Sequence, residues 1–357
     1  MKKLTLAFFA MCMAFAANAQ DGWKYFCIDS FPLYGTAAEG ASNRFSRLPD
    51  SLKGKVRDEL WDLGQHSPGL TLRFRSDASQ IRIKWRSLNK FSMNHMTPTG
   101  IRGLDLYTLA PDSTWAFVGS ARPSMSSHNN ESVVMRNMDP EMREYMLFLS
   151  LYDGVDSIYV GVDSAATVEW PVVDLPSRHK PVVMYGTSIL QGGCANRPGM
   201  AHTCILQRML NREVINLGFS GNGRLDPEIA RLMASVDAGL YVIDVMPNVT
   251  TEQFVERIGP FYEILRAARP DTPILLVENP EFPDIRFNKR TRDDNIEENA
   301  ALRAFYEAAN DPNMHYFYSA DVLKGNVECT VDNAHLTDLG FTIFADALYP
   351  VITSLLK

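Results

Sequence analysis

The segment Val182-Val-Met-Tyr-Gly-Thr-Ser-Ile189 decides how the rest of the chain is read. Its run of apolar residues marks a strand buried on both faces, as in parallel sheets. Gly186 then permits a tight turn and leaves Ser188 at a helix start, where the N-terminal end of the helix favours negative charge. A serine beyond the carboxyl end of such a strand stands where open parallel sheets gather their reactive groups. Gly-x-Ser by itself is common in turns, and a plain helix cap would also explain it, so the surroundings carry the reading.

Downstream, apolar runs at Val182 to Tyr185, Glu213 to Leu217, Leu240 to Met246, Ile274 to Glu278 and His315 to Ser319 alternate with amphipathic helices. That alternation predicts a mostly parallel sheet covered on both faces. Asp226 before Pro227 and the pair Thr250-Thr251 read as helix starts. Pro260, after Gly259, predicts a kink or interruption in the helix that follows Thr250. A last helix after Thr337 carries Phe341, Phe344, Leu348 and Ile352 near helical spacing.

Upstream, between about Trp23 and Trp170, the period changes. Leu70-Thr-Leu-Arg-Phe-Arg75 and Ile81-Arg-Ile-Lys-Trp85 place an apolar residue at every second position, the pattern of half-buried antiparallel strands. Leu104 to Leu109, Trp115 to Val118, Tyr145 to Tyr152 and Ser157 to Val162 repeat it between Pro, Gly, Asn and Asp clusters, which predicts a β-sandwich. A chain of 357 residues suits two such units. The expected division is a leader over 1–19, a sandwich over 20–175 and an α/β unit over 176–357, joined by the Pro-flanked segment Pro171 to Pro181.

Three further segments lie at strand ends or near the C-terminus: Asn216-Leu-Gly-Phe-Ser-Gly221, Pro247-Asn248 and Asp332-Asn-Ala-His335. A serine hydroxyl needs a base to become a nucleophile, and imidazole, with a reference pKa near ~6.5, suits that task at neutral pH. His335 is the candidate base, and Asp332 the group that orients its ring. The N–H groups of Ser188 and Gly221 and the Asn248 amide are candidate donors to a developing oxyanion. The plainer readings are a turn aspartate, a loop glycine and an Asx turn.

These four segments, in this order, resemble the four conserved blocks of the SGNH (GDSL-like) hydrolase superfamily. The resemblance covers roughly residues 181 to 357 and implies a three-layer, flavodoxin-like parallel sheet, with Ser188, Asp332 and His335 as catalytic residues and Ser188, Gly221 and Asn248 as the oxyanion hole. Two departures are mild: Gly-Thr-Ser-Ile stands where the family has Gly-Asp-Ser-Leu, and Leu336 where a proline often follows the histidine. Upstream, Gly103-Leu-Asp-Leu-Tyr107, Trp115 and Ala121-Arg-Pro123 resemble the jelly-roll-like sandwich that precedes the catalytic domain in one branch; Gln191-Gly-Gly-Cys194 and Arg197-Pro-Gly-Met200 are also similar to that branch.

Composition narrows the rest. A formal charge of -7 without a long Lys/Arg run gives no footprint for nucleic acid. Lys2-Lys3, an apolar stretch from Leu4 to Ala17 and Ala17-Asn18-Ala19 read as an export leader cleaved after Ala19, too short for a spanning helix of about 20 residues. Export predicts a periplasmic or secreted protein without stable membrane insertion. Cys27, Cys194, Cys204 and Cys329 then leave room for one or two disulfides in any of three pairings. Arg197, His202 and Glu278 are candidate substrate contacts, with packing or ion-pair roles as the plainer readings. No histidine or cysteine spacing implies a metal, and no cofactor is expected.

The function these observations predict is ester hydrolysis by a serine triad through an acyl-enzyme, on a small-molecule or glycan ester, with removal of acetyl or other short acyl groups from carbohydrate as the leading substrate. A lipid acylhydrolase or thioesterase using the same triad is the alternative enzyme. A glycan-binding protein with a silent second domain is the alternative outside catalysis.

Overall fold

The structure, a computed structural model, describes residues 17–20, 22–173 and 179–356. Most of the segment read as an export leader, residues 1–16, lies outside the described residues, as does 174–178 within the Pro-flanked joint.

The first half forms two antiparallel sheets. One has the order Ala17–Gln20, Trp23–Cys27, Val155–Asp163, Ile81–Ser87 and Asn129–Met135. The other runs Val168–Glu169, Thr71–Ser76, Arg143–Phe148, Leu104–Leu109 and Trp115–Ala121, with Leu33–Tyr34 added beside Thr71–Ser76. Every second residue of Ile81–Ser87 is buried, and Phe74, Ile83, Trp85, Leu106, Tyr145 and Val160 share one core between the sheets. Asn129–Met135 escapes the sequence reading because it lies at a sheet edge. Asn130 is its one fully buried side chain, so no apolar alternation marks it.

The second half is a five-stranded parallel sheet in the order Val214–Gly218, Val182–Gly186, Leu240–Asp244, Ile274–Val277 and Met314–Phe317. Val182 and Met184 face a core shared with helices His202–Leu210 and Asp338–Leu355. Val183 and Tyr185 face the opposite core, with Pro227–Ser235, Thr251–Ala268 and Lys289–Ala309. This is the expected three-layer α/β fold preceded by an antiparallel sandwich.

Two local expectations are corrected. Thr251–Ala268 is not interrupted at Pro260, whose ring lies on the exposed side, where the carbonyl left without a donor can face solvent. Asp226 occupies the N-cap of Pro227–Ser235 but makes no side-chain cap; its carboxylate instead receives Arg57 at 2.9 Å. Thr250 does cap its helix and forms a reciprocal capping box with Gln253.

The two halves share apolar core. Met96, Ile101, Tyr107, Phe148, Leu151 and Tyr152 from the first half pack in one cluster with Leu190, Ala195, Ala201 and Ile205. Between Leu33–Tyr34 and Thr71–Ser76 the chain leaves the sandwich, and there Leu48 and Leu60 join the other core, beneath Ile215, Leu217 and Phe219. Backbones touch where the seam is tightest: a Cβ on Gly69 would lie 2.5 Å from the Cβ of Asn216, and one on Gly100 2.2 Å from the Ala195 carbonyl oxygen.

Candidate active site

The strand Val182–Gly186 ends against its neighbours with no room for side chains. A Cβ on Gly186 would come within 2.4 Å of the Asp244 carbonyl oxygen, one on Gly218 within 2.2 Å of the Gln191 nitrogen, and one on Gly223 within 2.3 Å of the Gly186 carbonyl oxygen. Three strand ends therefore converge beside the short helix Ser188–Gln191. Thr187, where the family pattern has aspartate, caps that helix by accepting from the Ile189 N–H at 3.3 Å. The Ser188 carbonyl is fixed from three sides, by the Gly192 and Gly193 N–H groups and the Tyr152 hydroxyl at 3.2 Å.

From this platform the Ser188 hydroxyl, its residue 8% exposed, meets His335 Nε2 at 2.8 Å. The other ring nitrogen of His335 donates to Asp332 Oδ2 at 2.8 Å. Asp332 Oδ1 meanwhile accepts the main-chain N–H groups of His335 at 2.8 Å and Ala334 at 3.2 Å, so one carboxylate holds both the ring and its backbone. Partial burial works to raise the Asp332 pKa, but the hydrogen bonds from His335 outweigh it and keep the carboxyl below its usual range. Thr330 and Leu336 pair across the base of this loop, and Val331 N–H donates to the His335 carbonyl at 2.8 Å.

Gly221 has φ +67, a region that favours glycine, and open space lies where its Cβ would be. Among the described residues the main-chain N–H groups of Ser188 and Gly221 have no protein acceptor. The Asn248 Oδ1 accepts from Gly223 N–H at 3.2 Å, which turns the amide NH₂ away from that contact. Gly223 packs on Gly186 and Thr187, so Asn248 is tied to the turn that carries Ser188. Proton transfer from Ser188 to His335, with donors left over for charge on an acyl oxygen, is chemistry this arrangement can perform.

Two arginines from the first half, which the sequence reading missed, hold the loop that bears Gly221. Arg47 is 1% exposed and has no carboxylate partner among the described residues; it donates to the carbonyl oxygens of Asn216 (3.1 Å), Gly218 (2.6 Å), Leu63 (2.7 Å) and His66 (3.1 Å). Burial lowers its pKa to about 9. Arg57 bonds both the side chain and the carbonyl of Asn222, and pairs with Asp226. Gln191 completes the support by accepting from Ser220 N–H at 2.9 Å and donating to the Leu151 carbonyl at 3.1 Å. Asp244, at the end of the strand beside Val182–Gly186, is pushed up to about 7 by burial.

The three candidate substrate contacts are otherwise engaged. Arg197 is bound to Asp105 at 2.8 Å and to the Tyr107 hydroxyl at 2.6 Å, and lies over the Phe117 ring; it fastens the halves together. Asp105 and Tyr107 belong to the Gly103-Leu-Asp-Leu-Tyr107 segment. Glu278, 2% exposed, accepts from the Tyr316 hydroxyl at 2.7 Å and Ala320 N–H at 3.0 Å and faces Arg303. His202 is fully buried between Phe341 and Phe344, and neither ring nitrogen has a hydrogen-bond partner among the described residues. The cysteine expectation is also settled: Cys27, Cys194, Cys204 and Cys329 are all free thiols, three of them buried.

His202 gives a measurable pH effect. Burial holds its imidazole down at about 3, so the ring is neutral in the folded protein and gains a proton more readily when unfolded. Its contribution is therefore intact above the unfolded value near 6.5 and is lost as pH falls from there towards 3, by up to roughly 1.4 kcal/mol per pH unit. Urea unfolding between pH 7 and about 4 should show His202→Leu losing less stability than the parent. At neutral pH the variant should be as stable or more so, because an apolar group replaces unpaired ring nitrogens.

Comparison with known proteins agrees with this architecture. Residues 179–353 match the GDSL-like lipase/acylhydrolase family, and residues 23–168 match the GxDLY domain found at the N-terminus of SGNH-hydrolase-type esterases. A putative GDSL-like lipase from Bacteroides ovatus is 30% identical, with 93% of this chain and 98% of that chain covered and a TM-score of 0.87. A salicylyl-acyltransferase from a tetracycline biosynthetic pathway shares the fold at 17% identity over 94% and 98% of the two chains, TM-score 0.74. A family two carbohydrate esterase from Cellvibrio japonicus shares it at 12% identity over 93% and 98%, TM-score 0.58. No curated protein matches the chain. On the strength of its 30% identical relative and of both halves' family matches, the chain belongs to the GDSL-like lipase/acylhydrolase family and is a hydrolase of ester bonds.

Proposed function

We propose that this protein is an exported serine esterase that removes acetyl or other short acyl groups from carbohydrate. The observation that carries the reading is the continuous line from Asp332 through His335 to Ser188, with two contacts of 2.8 Å. Ser188 attacks the ester carbonyl while His335 takes its proton. The Ser188 and Gly221 N–H groups and the Asn248 amide meet the oxyanion, and His335 returns the proton to the departing alcohol. Water, activated by the same imidazole, then releases the acid from the acyl-enzyme. Asp332 keeps the ring oriented and stabilises its charged form.

The reacting groups rest on closely packed backbone. Gly193 fits so closely that a Cβ there would lie 2.8 Å from the Tyr152 hydroxyl and 3.0 Å from His335 Cδ2. The carbohydrate is supported by a polar cavity between the halves, where Thr97, Ser120, Arg122, Ser132 and Asn196 surround the exposed ring of Phe117. Hydroxyl and guanidinium donors around one aromatic face suit a sugar. At the cavity's rim Thr97 donates to the Asn196 carbonyl at 2.6 Å. Carbohydrate esterases from Cellvibrio japonicus and Clostridium thermocellum share the fold. Export rests on Lys2-Lys3, the apolar stretch behind them and Ala17-Asn18-Ala19.

A fluorophosphonate probe should label the purified protein and fail to label Ser188→Ala, while acetylated sugars and p-nitrophenyl acetate are hydrolysed faster than long-chain esters. Preference for long chains would move the reading to a lipid acylhydrolase, and absence of labelling to a binding protein. Asn248→Ala should lower kcat by about 10²–10³, the usual cost of one oxyanion donor, with little change in KM. N-terminal sequencing of the mature protein should begin at Gln20.

A further inference from the structure

His95, Cys194 and His335 come from three distant parts of the chain, yet one ligand atom from each lies within 4.8 Å of the others. His95 belongs to the first half and is exposed; Cys194 is buried directly behind Gly192-Gly193; His335 is the imidazole already joined to Ser188 and Asp332. The cysteine stands where a cysteine is costly. Its φ is +76, a region where a Cβ is strained by roughly 1–2 kcal/mol and glycine is not. Nothing in the ester chemistry derived above uses its sulfur. No metal was legible in the sequence because no two of these residues are near neighbours in the chain.

We propose that His95, Cys194 and His335 bind a soft divalent cation of the zinc type, and that the ion arrests hydrolysis by withdrawing His335 from Ser188 or Asp332. The inference rests on the reading of His335 as the catalytic base. Two imidazoles and a thiolate form a ligand set that selects zinc or copper over magnesium or calcium. Tetrahedral zinc, with bonds of about 2.0–2.1 Å to nitrogen and 2.3 Å to sulfur, holds such donors about 3.3–3.6 Å apart, so the cluster must close by about 1 Å. The exposed His95 side chain can supply that movement by rotation, and water can take the fourth position. As the metal–sulfur bond forms, the Cys194 thiol gives its proton to solvent; the two imidazoles contribute lone pairs, and nothing is oxidised or reduced. Both ring nitrogens of His335 are engaged, one with Ser188 and one with Asp332, so an ion on either breaks one link of the relay.

The test uses the full-length protein freed of metal with EDTA. Zinc chloride should reduce p-nitrophenyl acetate hydrolysis to about a tenth at about ten times its dissociation constant, with recovery on adding EDTA and no effect of magnesium chloride. Cys194→Ser and His95→Gln should hydrolyse the ester as before and need at least about tenfold more zinc for the same inhibition. Cobalt chloride, read by absorption, should give a thiolate-to-cobalt charge-transfer band in the parent and none in Cys194→Ser. Equal zinc inhibition in the parent and both variants, or cobalt uptake without that band in the parent, would overturn the proposal. A parent that fails to hydrolyse esters even without zinc would instead overturn the esterase reading, and the cobalt spectrum would still decide the ion site.

Discussion

A buried guanidinium held by main-chain carbonyl oxygens sets much of this architecture. The strand Val214–Gly218 is the edge of the parallel sheet and pairs on one side only, with Val182–Gly186. The Asn216 and Gly218 carbonyl groups, two residues apart, are left to the other side, and Arg47 meets both. A sheet edge of this kind invites pairing with other chains unless it is covered. Here the excursion from the sandwich covers it, with Gly69 lying directly on Asn216. Charge buried this deeply is costly unless hydrogen-bonded, and four carbonyl oxygens supply those bonds. The arginine thereby determines both where the halves meet and where the loop bearing Gly221 begins.

That placement changes what the sandwich is for. Its Arg47 and Arg57 grip the segment from Asn216 to Asp226, its Tyr152 bonds the carbonyl of Ser188, and its Asp105 and Tyr107 hold Arg197. Ester chemistry requires donors placed before charge develops, because reorganisation during the reaction is what a preorganised site avoids. The first half supplies the rigidity, and the second half supplies the reacting groups.

Where the information is local, the sequence was legible. Four of the five parallel strands are buried throughout and so read as apolar runs, and Asp332 and His335 are neighbours whose contact needs only a turn. Gly186 and Gly221 were legible through backbone need. Partnerships made in space were not legible. Arg47 looks like a surface residue between Ser46 and Leu48, and nothing nearby announces the carbonyl groups it meets about 170 positions later. His202 and Glu278 stayed open between substrate contact and packing or ion-pair roles for the same reason, since a polar side chain near a motif does not show whether aromatic rings or hydrogen-bond donors enclose it. The His95, Cys194 and His335 cluster is the extreme case, with its members spread over most of the chain.

The excursion that carries Arg47 also bears on how the polypeptide matures. Leu48 and Leu60 have their apolar neighbours in the later half, and Arg47 lacks its strand-end acceptors until residue 218 has been synthesised. During translation the first 170 residues can close the sandwich between its own sheets, but residues 35 to 70 then present grease and an unsatisfied cation to the surroundings. Leu48, Leu60 and Arg47 thus find their partners only once the later half is present, so this stretch of the first half completes its packing last.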